Sequence, residues 1–164
     1  MSLTYTEALY FAPFVIPLCL WTAWRDMKVM KITNITVLIL LGVFLVMGLL
    51  ALDLNAYGWR LAQVAIALVI TFILTMIGAI GGGDAKFFAA AAAFVAPGDW
   101  LFVGLLFCCC MVVSTVTLRL VRRTSLTKLA PDWKCWSTGL VFPMGVALGA
   151  TLALYMVLGL IQTA

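Results

Sequence analysis

The chain has 164 residues, of which 66% are hydrophobic and only 10% charged. A soluble domain carries roughly 25% charged residues, so a water-facing surface is excluded and the chain reads as an integral membrane protein. Its net charge of +4 is read through loop topology rather than as a nucleic-acid footprint, and the absence of histidine excludes His-ligated metal sites and Ser-His or Cys-His nucleophiles.

Six apolar segments are expected, at 5–24, 35–52, 61–80, 85–97, 101–118 and 139–161. A span needs about 20 residues to cross about 30 Å of hydrocarbon. Backbone groups in lipid must be satisfied within the segment, so all six are predicted helices. Met1 to Thr6 holds no Lys or Arg, so the first segment is expected to stay in the mature protein and not to be a cleaved signal. Pro13 and Pro17 are expected to kink it. The fourth segment is short. From Asp84 to Pro97 it extends about 21 Å as a helix, so it either starts below the membrane surface or is a re-entrant half-helix. Cys108, Cys109 and Cys110 lie inside the fifth segment and read as packing residues. No Cys-x-x-C pair is present.

Charge bias decides between the two topologies. With six spans, the first, third and fifth connections hold every basic residue except Arg60, which falls in the second. The positive-inside rule then places those three connections in the cytoplasm and both termini outside. With five spans, the loop from Arg119 to Lys134 moves outside, against the rule. The expected fold is therefore all-α: a polytopic membrane protein of six transmembrane helices with a short fourth, forming one domain over residues 1–164.

Gly81-Gly82-Gly83-Asp84-Ala85-Lys86 interrupts the apolar pattern just before the fourth helix. An ionisable residue at membrane depth points to function. Of the other acids, Asp53 and Asp99 fall in outside loops and Glu7 near the outside end of the first span. Asp132 lies in a basic, solvated loop. Asp26, at the end of the first span, is left as the partner for Asp84. Two close carboxyls share one proton, and such a pair can activate water against a peptide carbonyl. The glycines let backbone approach a substrate strand. A helix N-terminus favours the Asp84 anion, and an inward-facing Lys86 would act in the same sense. The residues alone leave other readings open: an ordinary turn with Asp84 as N-cap, acids serving a transporter or proton-conducting subunit, a Ser125-x-x-Lys128 nucleophile, or an assembly subunit without activity.

With these motifs the chain resembles the type IV prepilin peptidases, among the GxGD membrane aspartic peptidases. The signature reads Gly81-Gly82-Gly83-Asp84, with Lys86 two residues on. The second block reads Asp26, then Lys31-Ile32-Thr33-Asn34, where Lys31 and Thr33 replace the commoner Arg and Pro. A late Pro143-Met144-Gly145 also matches. The resemblance implies an aspartic endopeptidase with Asp26 and Asp84 as its catalytic pair. Gly81, Gly83, Lys86 and Asn34 are then motif or positioning residues, and no metal or other cofactor is needed. It implies a pilin-like precursor as substrate, with a short basic leader ahead of an apolar helix, cut at the cytoplasmic face of a bacterial or archaeal plasma membrane. Further partners are the lipid bilayer and the pilus assembly machinery, with no nucleic acid. The zinc-binding N-terminal region of the large members, with its paired Cys-x-x-Cys motifs and associated methylation, has no counterpart in this sequence. The chain is therefore similar to the small, peptidase-only branch that serves Tad-type (Flp) pili.

Overall fold

The computed structural model describes residues 1–124, 132–137 and 142–162. These residues form seven helices: α1 (Tyr5–Val29), α2 (Asn34–Ala51), α3 (Leu54–Met76), α4 (Gly82–Ala92), α5 (Trp100–Arg122), the single turn α6 (Lys134–Ser137) and α7 (Met144–Ile161). A 3₁₀ turn, Pro97–Asp99, leads into α5. The all-helical expectation holds, with no strand among the described residues. Five helices are long and apolar enough to cross a membrane: α1, α2, α3, α5 with its preceding turn, and α7. The sixth expected span is α4. At 11 residues it rises about 16 Å, too short to count as a span by length. Ser125 and Lys128 lie outside the described residues.

The boundaries differ from expectation where a charge lies inside a helix. α1 runs unbroken through Pro13 and Pro17 and past Asp26 to Val29, so Asp26 sits within its last turns. α3 begins at Leu54, which puts Arg60 inside the helix and not in a loop. Arg60 is 2% exposed. Its Nη2 donates to Glu7 Oε2 at 2.6 Å, and its Nη1 donates to the Ala93 carbonyl at the end of α4.

Asp99, expected in an outside loop, is also buried. It accepts from the Ser2 and Leu3 amides and from the Tyr155 hydroxyl at 2.7 Å. The placement of Arg60 in a connection is thus corrected, whereas Asp99 does lie in the connection before α5 but is buried there. Each found a buried partner far away in sequence, as a charge or dipole out of water requires.

The principal helix pair is α1 with α7, and α4 packs between α3, α2 and α7. A Cβ at Gly149 would lie 2.8 Å from the Cys19 carbonyl oxygen, so the glycine lets α7 approach α1 backbone to backbone. Phe11, Phe44 and Phe94 form an edge-and-stack cluster inside the bundle. The start of α4 packs against Ile32, in the connection after α1, and its far end packs against Arg60. Short as it is, α4 runs from the end of the bundle bearing Asp26 towards the end bearing Glu7.

Candidate active site

Asp26 is 4% exposed, an unusual state for a carboxylate. Two backbone features hold it. Met30 ends α1 in the left-handed conformation, and its N–H donates to the Asp26 carbonyl at 2.8 Å. From across the bundle, the Gly145 N–H in the first turn of α7 donates to Asp26 Oδ2 at 2.7 Å, with the Val146 N–H beside it. The carboxylate therefore caps the amino end of α7, where unsatisfied amides and the helix dipole favour negative charge. A Cβ at position 145 would stand 2.8 Å from Asp26 Oδ2 and 3.0 Å from Ile32 Cδ1. Only glycine fits.

Asp84 lies in the first turn of α4 and is half-buried. It borders an apolar cavity of about 180 Å³ together with Thr71, Leu74, Phe107 and Met144. At about 30 Å³ per water, that is room for several molecules. The structure brings the two sequence-predicted aspartates to the same end of the bundle, on either side of Ile32. Ile32 lies between their supports: its carbonyl oxygen is 3.3 Å from the Cβ position of Gly83, and its Cδ1 faces Gly145.

The glycine run works through space and not through unusual dihedrals. Gly81 has φ −71° and ψ 143°, and the positive-φ glycine in this region is Gly78. A Cβ at Gly81 would approach Asp84 Oδ2 to 2.8 Å, so the missing side chain clears the carboxyl. The condition set for Lys86, an inward-facing side chain, is not met: the residue is exposed. Its Nζ donates to Asn34 Oδ1 at 3.1 Å, joining the first turns of α4 and α2 at an exposed position. The predicted residues Lys86 and Asn34 are thus brought together with each other.

Two neighbours were not singled out as site residues from sequence. The Gly145 amide is the main-chain donor to Asp26; the Pro143-Met144-Gly145 match flagged the position but not its contact. Cys135, on α6, is fully buried and near enough to Asp26 to feel its charge. Burial pushes this thiol up and keeps it inert. The Arg122 guanidinium donates to its carbonyl. Asp132 is exposed, as expected. Among the described residues no three His, Cys, Asp or Glu side chains gather as a metal-ligand cluster.

No curated protein and no solved structure matches the chain. The profile of the type IV leader peptidase family matches residues 14–116. That stretch is well over half the chain and contains Asp26, Asn34 and Gly81 to Lys86. The chain, with five helices long and apolar enough to cross a membrane, belongs to the type IV leader peptidase family.

Proposed function

We propose that the chain is a single-domain aspartic endopeptidase that removes the basic leader of pilin-like precursors at the cytoplasmic membrane face. The observation that carries this reading is that Asp26 and Asp84 lie at one end of the bundle about Ile32, with Asp84 at the edge of a cavity and the amino end of α7 aimed at the Asp26 carboxylate. Two carboxyls so placed hold one proton between them. The ionised one takes a proton from a water as its oxygen bonds to the scissile carbonyl carbon. The protonated one hydrogen-bonds the developing oxyanion. As the tetrahedral intermediate collapses, the C–N bond breaks and the leaving amine receives a proton from the pair. No cofactor enters these steps.

Charge supports the side. Lys28, Lys31, Lys86, Arg119, Arg122 and Arg123 belong to the connections at the Asp26–Asp84 end. Arg60, the one basic residue towards the other end, is neutralised by Glu7. The positive-inside rule then favours a cytoplasmic site. In this reading α4 and residues 93–99 together make the sixth passage, with Asp84 just inside the membrane boundary.

A precursor co-expressed with the chain tests the assignment. Asp26→Asn and Asp84→Asn are each expected to cut leader removal by at least about a hundredfold, with the protein still in the membrane. Processing that survives in either variant would sink it. The transport reading would need acids strung across the bundle. The buried acids at the far end, Glu7 and Asp99, are already satisfied by Arg60, Tyr155 and main-chain amides.

A further inference from the structure

Resting on the peptidase reading, we infer that the gap over α4, between α3 and α5, is the berth for the apolar helix of the precursor. α5 packs chiefly on α7 and is not among the close partners of α3 or α4, meeting them mainly through Trp100 beside Ala67, Ala89 and Ala92. The shortness of α4 and this stand-off leave three adjoining apolar recesses, all bordered by Phe88. One holds Asp84 at its edge, with Leu74 and Phe107. The next is floored by α7 through Leu148 and Leu152. The last lies farthest from Asp84, between Gln63 and Trp100.

Order along the helices makes these one trough. α3 descends from Gln63 to Leu74 over about 16 Å, and α5 returns from Phe107 to Trp100 over about 10 Å. The trough is thus a few helical turns long, opens sideways towards lipid, and terminates at a proposed catalytic carboxyl. A precursor cut next to its apolar helix needs such a path, since the scissile bond and the helix must be held together.

Gln63 marks the far end of the trough, lining its last recess with Ile66, Ala67 and Trp100. The occupant is argued from the other end, where the trough stops at Asp84: a helix continuous with the segment to be cut can lie in the trough and reach that carboxyl, which an acyl chain has no reason to meet.

Gly104 supplies the test, because a Cβ there meets nothing within 4 Å. In the Asp84→Asn chain in membranes, a photoreactive benzoylphenylalanine is placed at position 104 or 66, with position 46 on α2 as lipid-facing control. Adducts between the precursor's apolar helix and positions 104 and 66, but not 46, are expected. Adducts with phospholipid only, or equal labelling at 46, would overturn the proposal. In the otherwise native chain, Gly104→Phe fills the trough. Processing of the full precursor is expected to fall at least about tenfold, while a leader peptide lacking the apolar helix is cut at the wild-type rate. Full-precursor processing at the wild-type rate overturns the berth. Precursor adducts at 104 and 66 combined with no cleavage by the wild-type chain would defeat the peptidase reading and leave the berth standing.

Discussion

A methyl group at position 145 has nowhere to go. It would meet both Asp26 Oδ2 and Ile32 Cδ1 at 3.0 Å or less; the Ile32 methyl can turn aside, but the Asp26 carboxylate is held by the Gly145 amide itself. Gly145→Ala therefore displaces the carboxylate or tilts α7. Processing is predicted to fall about a hundredfold at unchanged protein level. Gly42→Ala, where a Cβ meets nothing, is the matched control; equal effects of the two in a single-turnover assay would refute the reasoning. This residue also marks how far the sequence was legible. Asp26 and Asp84 announce themselves, because a carboxyl in an apolar chain is expensive and so noticeable. The contact of Gly145 is made by a main-chain N–H, which has no letter of its own. Lys86 and Asn34 are 52 positions apart, and local pattern does not reveal such a pair.

At the scale of elements, the question is how a helix as short as α4 can end inside a bundle. Its last carbonyls and the following amides need partners that lipid does not supply. Arg60 serves Ala93, and the Tyr155 hydroxyl accepts from the Ala96 amide at 3.2 Å while donating to Asp99. Removing Arg60 orphans both the Ala93 carbonyl and the Glu7 carboxylate. Arg60→Met is predicted to cost about 3–5 kcal/mol, measured by denaturant titration of the purified protein. Adding Glu7→Gln should recover part of the loss; if the double variant is no more stable than Arg60→Met alone, the ion pair is not the cause. These partners escaped the sequence reading for a definite reason. Segment bounds were drawn from where the apolar runs begin and end, which left Arg60 and Asp99 in connections, and an apolar run carries no sign of a partner distant in sequence. α3 in fact starts before its apolar run, because a buried counter-charge on α1 lets Arg60 enter the helix.

At the scale of the molecule, the long helices were the most legible part, since length and hydropathy suffice to find them. The segment around α4 was the least legible, because a helix of 11 residues satisfies no length rule. Its course follows from what holds each end. Packing also joins regions that the family match separates: α7 lies beyond residue 116, yet it is the chief partner of α1 and donates to Asp26.

The lengths of neighbouring helices carry one more consequence. α2 and α7 have 18 residues each and rise about 27 Å, whereas α1, at 25 residues, rises about 37 Å. Both short helices pack against α4 opposite the 23-residue α3, so the α2 and α7 side of the bundle matches a thinner hydrocarbon layer than the rest. Lipid beside it must compress, and thick bilayers resist compression. Membrane thickness thus becomes a control on the enzyme. In vesicles of short-chain phosphatidylcholine, precursor processing is predicted to be faster than in long-chain ones at equal protein and substrate density. A rate indifferent to acyl length would mean that the bilayer bears no such load.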